Sequence, residues 1–214
     1  MDVVLAEVLR GGRVESAHAG AAVVVDASGA VVFAAGDIDA PVYPRSAVKA
    51  IQALPLVESG APGRLGLTDD EVALTCASHT GEPIHVATAQ SMLRKAGHDE
   101  TCLECGVHWP SHEPSARAIA AAGGQPSALH NNCSGKHSGF ICLACDRGVA
   151  PAGYIRAEHP AMAEVIAALA DMTGTRLDDS NRGTDGCSIP TFAIPLRALA
   201  HAFARFGSGA GLAP

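Results

Sequence analysis

The chain opens on short apolar runs rich in valine and alanine. Residues 3–8, 14–17, 21–25 and 31–35 form four such runs, with Gly11-Gly12 and Asp26-Ala27-Ser28-Gly29 as turn signals between them. That pattern predicts an antiparallel meander. After Asp37 the spacing becomes helical. Residues 44–60 predict a single helix that is apolar nearly all round, through Val48, Ile51, Leu54, Leu56 and Val57, and therefore buried at the domain centre. Gly60 is its stop signal. Thr68-Asp69-Asp70-Glu71 is a capping box that starts a helix running to about Ala77. Glu82-Pro83 opens another, stopped by Gly97. Further helices are expected over 114–122, 134–147 and 160–173, then a strand over 187–194 and a helix over 195–206. Strands followed by helices predict an α+β fold, an antiparallel sheet with packed helices. Residues 1–206 read as one domain and the glycine-rich stretch 207–214 as a flexible tail.

Length and charge narrow the classes. A chain of 214 residues suffices for one domain, burying roughly 70% of its unfolded surface. The net charge is −7 and the pI about 5.7. With no run of basic residues to follow a phosphate backbone, nucleic acid is not an expected partner. Neither a signal peptide nor an apolar run long enough to span a bilayer is visible, so no membrane association and a cytoplasmic location are expected. Seven cysteines make an odd count, which leaves metal ligation, catalysis or plain burial rather than a disulfide framework.

Candidate chemistry begins at Pro44-Arg45-Ser46-Ala47-Val48-Lys49. Lysines number only three, Lys49, Lys95 and Lys136, so each is a placed residue. On a helix, positions i and i+3 share a face, which brings the Ser46 hydroxyl within reach of the Lys49 amine. Burial lowers a lysine's pKa, and a neutral amine can take a serine proton. The structural alternative is that Ser46 caps the helix and Lys49 reaches solvent. His130-Asn131-Asn132-Cys133-Ser134-Gly135-Lys136-His137-Ser138-Gly139 packs polar groups at a helix start, where two glycines would let an anion or a metal approach. The structural alternative, and the favoured one for this stretch alone, is a polar N-cap, with Ser134 capping and Cys133 merely buried. The pairs Cys102/Cys105 and Cys142/Cys145 have zinc-like spacing, but the second lies in an apolar helix and reads as buried small side chains. Asp185 stands before the late strand, where it could anchor a substrate ammonium or bond its own turn. Ser78 could face the same cleft as Ser46.

Together, the stretches Arg10-Gly11-Gly12-Arg13-Val14-Glu15-Ser16, Arg45 to Lys49, Gln52-Ala53-Leu54-Pro55, Cys76-Ala77-Ser78-His79, His130 to His137 and Thr184-Asp185-Gly186-Cys187 resemble the Rhizobium-type L-asparaginase family. They cover nearly the whole chain, in the family's order. The resemblance implies a fold similar to serine β-lactamases and penicillin-binding proteins, and hydrolysis of the asparagine side-chain amide to aspartate and ammonia. It implies Ser46 as nucleophile or its partner, Lys49 as base, and Ser78 in a second serine–lysine tandem. It implies zinc held by Cys133, Lys136 and Cys187, with Asp185 contacting the amino acid and Arg45 and His137 close by. A homodimer is a possible state. Family members are longer, so the resemblance also implies a C-terminally truncated chain, incomplete in its sheet. The lysine partnering Ser78 would lie in the missing part, since no lysine follows Lys136, and Ala50 stands where the family usually has proline. Two alternatives accompany the amidohydrolase: an inactive family member that binds zinc or a partner without turnover, and a β-lactam-reactive serine protein. The lack of a K-T-G element argues against the latter.

Overall fold

The computed structural model describes residues 2–212. In chain order the elements are β1 (Val3–Arg10), β2 (Arg13–Gly20), β3 (Ala22–Val25), β4 (Val31–Ala35), β5 (Pro41–Val42), a 3-10 turn over Arg45–Val48, α1 (Lys49–Gln52), α2 (Leu54–Glu58), α3 (Ala61–Leu65), α4 (Asp69–Thr75), α5 (Pro83–Lys95), α6 (Glu113–Ala121), α7 (Ser134–Asp146), α8 (Pro160–Thr173), β6 (Arg182–Thr184), β7 (Pro190–Phe192), β8 (Ile194–Pro195) and α9 (Leu196–Ser208), with 3-10 turns also over Glu100–Cys102 and Ala128–His130. The chain divides into two compact units. One holds the segment up to Pro44, residues 170–182 and the chain from Phe192 onward; the other holds residues 45–169 and 183–191.

In the first unit, β1 and β2 pair antiparallel through Gly11 and Gly12, at φ 56° and 77°. Two left-handed residues in a two-residue loop match the twist of the flanking strands, which is why glycine occupies both. β3 and β4 form a second antiparallel pair. Asp26 closes its loop by accepting from the backbone N–H groups of Ser28 and Ala30. The expected meander is therefore two separate hairpins. Only Ala21 lies between β2 and β3, too short a link for the chain to fold back, so β3 continues past β2 instead of pairing with it. β5 pairs antiparallel with β8, and α9 packs on β3. The last helix runs on to Ser208, where Gly209 at φ 70° ends it. The tail expected from 207 thus begins inside a helix; its residues 213–214 lie outside the described residues.

The second unit is built round α7, whose residues from Ser134 through Ala144 are all buried. Leu56, Leu74, Met92, Leu93, Phe140, Ile141, Leu143, Tyr154, Met162 and Val165 belong to its apolar core. The central buried helix is thus α7 rather than the expected helix over 44–60. That helix is broken into a 3-10 turn and two short pieces, α1 and α2. Pro55 separates α1 from α2: it offers no N–H to a preceding carbonyl, and its ring crowds the carbonyl four residues back. Gly135 and Gly139 on α7 have their own explanation, since a Cβ on Gly135 would meet the Leu74 carbonyl oxygen at 2.5 Å and one on Gly139 the Thr75 Cγ2 at 2.9 Å. They let α7 lie against α4 rather than admitting a ligand.

The capping box forms as expected, Glu71 N–H donating to the Thr68 hydroxyl and Thr68 N–H to the Glu71 carboxylate. The expected strand over 187–194 is instead a short hairpin of β6 and β7. Its turn is closed by Ser188 N–H to the Asp185 carbonyl and Asp185 N–H to the Ile189 carbonyl, with Ser188 at φ 75°. The α+β class holds, but among the described residues the strands make four two-stranded sheets rather than one.

Candidate active site

Lys49 opens α1 and is only 1% exposed. Its Nζ lies 2.8 Å from the Ala77 carbonyl, 2.9 Å from the Ser78 hydroxyl and 3.2 Å from the Asn132 carbonyl. Two loops supply these groups, one after α4 and one before α7. Burial pushes the amine's pKa down; Cys133 opposes that, and nearby Lys136 adds to it. A neutral amine carries two N–H donors and one lone pair. Carbonyls only accept, so the two donors go to Ala77 and Asn132. As an ammonium, Nζ donates to all three oxygens; once neutral, its lone pair would face the Ser78 hydroxyl, the one partner able to donate.

Ser46 is not among the partners of Lys49 in the described residues. It is exposed on the 3-10 turn, while Lys49 is drawn inward to the oxygens of Ala77, Ser78 and Asn132. Ser78 was expected to pair with a lysine further along the chain; the lysine beside it is Lys49. Ser78 is itself exposed and lines an open depression of about 480 Å³ with Asp70, His79, Thr80 and His85.

His79 holds that loop in place. Its Nδ1 accepts from the Gly81 N–H, so Nε2 carries the proton and donates to the Ser134 hydroxyl at 2.8 Å, which donates in turn to the Leu129 carbonyl. Burial, with neighbouring His85, lowers His79 to about 4. Asn131 fixes the next residues. Its side-chain oxygen accepts from Cys133 N–H, and its amide donates to the Cys105 and Gly106 carbonyls.

Cys133, at the N-cap of α7, is hydrogen-bonded to Cys187 and close to both Lys136 and Lys49. The bond from Cys187 is the main reason the Cys133 thiol titrates well below the usual range. The start of a helix also favours a thiolate there. Cys187 moves the other way, first because it keeps the shared proton and second through burial. Lys136, 2% exposed, donates to the Cys187 sulfur at 3.2 Å, and no carboxylate pairs with it among the described residues. An ammonium is rarely buried without an anion; Cys133 is the sulfur that can supply one, since Cys187 keeps the shared proton. Two cysteines and an amine brought together by α7 and the 185–188 turn are a nitrogen–sulfur donor set of the kind zinc takes. No group of three or more His, Cys, Asp or Glu arranged for a metal occurs among the described residues, so such a site needs the lysine.

Asp185 and Arg45, both expected near the substrate, form an ion pair at 2.9 Å. Arg45 sits at φ 52° and Ser188 at φ 75°, left-handed conformations that non-glycine residues hold only when their surroundings impose them. One contiguous cluster results, running from Ser78 through Lys49, Cys133 and Cys187 to Asp185 and Arg45. The remaining cysteines lie outside it. Burial raises Cys102, Cys105 and Cys142 to about 11, 12 and 12, so these thiols stay protonated, as buried small side chains should.

The sequence did not single out His79, Asn131 or the carbonyls of Ala77 and Asn132. A carbonyl carries no side-chain signal, and His79 and Asn131 were read only as members of longer polar stretches. Among the described residues no helix is long and apolar enough to cross a membrane. No curated protein matches the chain. Residues 6–213 match the family described as L-asparaginase II, and the chain belongs to that family.

Proposed function

We propose that the protein hydrolyses the side-chain amide of L-asparagine to L-aspartate and ammonia, with Ser78 as nucleophile and Lys49 as its base. The observation that carries this reading is the buried Lys49 amine, held by two carbonyls and facing one hydroxyl. The neutral amine takes the Ser78 proton as Ser78 Oγ attacks the amide carbon. The protonated amine then gives that proton to the departing nitrogen, releasing ammonia and leaving an acyl-serine. Water, deprotonated by the same amine, cleaves the ester and frees aspartate. Ser46, on the turn just before Lys49, supplies a second hydroxyl, and its backbone N–H is assigned to the oxyanion. Asp185 receives the substrate ammonium and Arg45 its α-carboxylate. The serine β-lactamase-like architecture expected of the family belongs to the same proposal.

Zinc is assigned to Cys133, Lys136 and Cys187; the low-titrating Cys133 thiol and the 3.2 Å contact of Lys136 Nζ with Cys187 Sγ support this, and Lys136 would have to lose a proton to bind. Bound there, it would act as a Lewis acid toward a carbonyl oxygen beside it. Ammonia release from asparagine by the purified chain tests the reading. Ser78→Ala and Lys49→Met should each lose about 10²–10⁴-fold, and Ser46→Ala less. Equal rates for wild type and Ser78→Ala would end the assignment. Zinc bound one to one and lost in Cys133→Ser, with no ammonia released, would favour the non-catalytic alternative.

A further inference from the structure

His137 is fully buried, and its two ring nitrogens face different neighbours. Nδ1 lies 2.6 Å from the Tyr154 hydroxyl. That hydroxyl oxygen already accepts the Glu104 backbone N–H at 2.9 Å, and the Glu104 carboxylate accepts the Gly153 N–H at 2.6 Å, so the tyrosine is clamped from both sides. Tyr154 is itself fully buried and meets the imidazole edge-on, at 5.4 Å between ring centres. Nε2 has no hydrogen bond of good geometry. Cys187 lies close enough to bond the ring electrostatically, and with Nδ1 taken by Tyr154 the nitrogen left to it is Nε2.

These contacts fix the proton by elimination. A phenol has one proton to give, and if its oxygen accepted from both the Glu104 N–H and His137 Nδ1, that buried proton would be left without an acceptor. The acceptor within reach of the Tyr154 proton is Nδ1. Nδ1 therefore carries no hydrogen, and in a neutral imidazole the proton must sit on Nε2.

We propose that Tyr154 is a positioning residue that locks His137 in its Nε2–H tautomer, aiming an N–H at the Cys187 sulfur. With its proton on Nε2, His137 has no lone pair there for a metal, so it acts on the site as a donor to a sulfur ligand and not as a ligand itself. A donor to sulfur stabilises the thiolate a metal needs and fixes its direction. This consequence for metal binding rests on the zinc assignment above; the tautomer does not.

The test has two separate readouts. In long-range ¹H–¹⁵N spectra of the metal-free wild type, His137 should show the Nε2–H pattern, with Nδ1 in the unprotonated range. Tyr154→Phe keeps the ring and removes the hydroxyl, and it should convert His137 to Nδ1–H or to a mixture. An Nδ1–H wild type would overturn the proposal without any variant, and so would a Tyr154→Phe protein whose tautomer is unchanged. Zinc affinity, measured by competition with a chromophoric chelator, should fall roughly 10–100-fold in Tyr154→Phe, with the cobalt thiolate charge-transfer band shifted. Equal zinc affinity in both proteins would overturn the positioning role. Failure of the wild type to bind zinc would sink the zinc assignment alone, leaving the tautomer to be decided by the spectra.

Discussion

Lys49 can serve as a base only while uncharged, and its surroundings set when that holds. As an ammonium it would spend all three protons on Ala77, Ser78 and Asn132 and have nothing with which to receive another. Burial lowers its pKa, so the competent form extends to lower pH than for an exposed lysine. The rate should therefore rise with pH along an acid limb governed by Lys49; a pH–kcat/KM profile checks this, and a flat profile from about pH 5 to 9 would contradict it. His79 makes a second, independent prediction, about stability. Its folded pKa is about 4 against an ordinary 6.5, so below 6.5 the unfolded chain binds a proton the folded one refuses. Its contribution is complete above 6.5 and is lost as pH falls toward 4, by at most about 3 kcal/mol. Urea midpoints at pH 7, 5.5 and 4.5 should fall in that order, and His79→Gln should flatten the decline. An equal decline in the variant would show that another group is responsible.

Helices were legible in the sequence where their ends carry chemistry. Thr68 and Glu71, and Pro83 and Gly97, mark boundaries that side chains or glycine enforce, and the structure places helices there; α7 begins at Ser134 as expected, but Cys133 at its N-cap makes no side-chain cap bond and Ser134 bonds Leu129 instead. Legibility failed where the pattern ignored the backbone. The apolar run over 44–60 has helical spacing, but Pro55 interrupts it between α1 and α2, and its first turn is 3-10, so Ser46 does not sit on the same regular α-helix as Lys49. The late strand failed differently, because Asp185 and Ser188 close a turn inside a run that reads as extended. At the site, residue types were readable from motifs, but the pairing of Lys49 with Ser78 depends on a contact between residues far apart in sequence.

Packing of α7 on α4 gives a direct test at this scale. Gly135→Ala gains helix propensity, worth about 1 kcal/mol. It also drives a methyl into the Leu74 carbonyl at 2.5 Å, an overpacking of about 1–3 kcal/mol or more. Clash wins, so the variant should be destabilised in urea unfolding. Gly63→Ala in α3 meets nothing within 4 Å and should be neutral or slightly stabilised. Equal stability of the two variants would refute the close approach.

At the scale of the molecule, β1 and β2 pose a physical problem that their own pairing does not solve. Both strands are exposed along nearly all their length, leaving Val4 57%, Leu5 53%, Leu9 60% and Val14 54% accessible. A lone two-stranded hairpin is marginal in water, and its stability comes from covering one face. Val32 and Phe33 on β4 add further apolar surface, at 69% and 54% accessible. Fully burying a side chain of this size is worth about 1.5–3 kcal/mol, so covering several half-exposed ones yields several kcal/mol before the entropy of association is subtracted. A net charge of −7 opposes close approach but is screened beyond about 8 Å at physiological salt. Apolar contact should win. The 21.7 kDa chain should therefore self-associate in light scattering, more strongly as salt rises. Leu5→Lys with Leu9→Lys should shift the population toward monomer while leaving the helical unit folded by circular dichroism. A wild type that scatters as a monomer up to about 100 μM, well above the micromolar range in which exposed apolar edges associate, would show that the hairpin holds without cover.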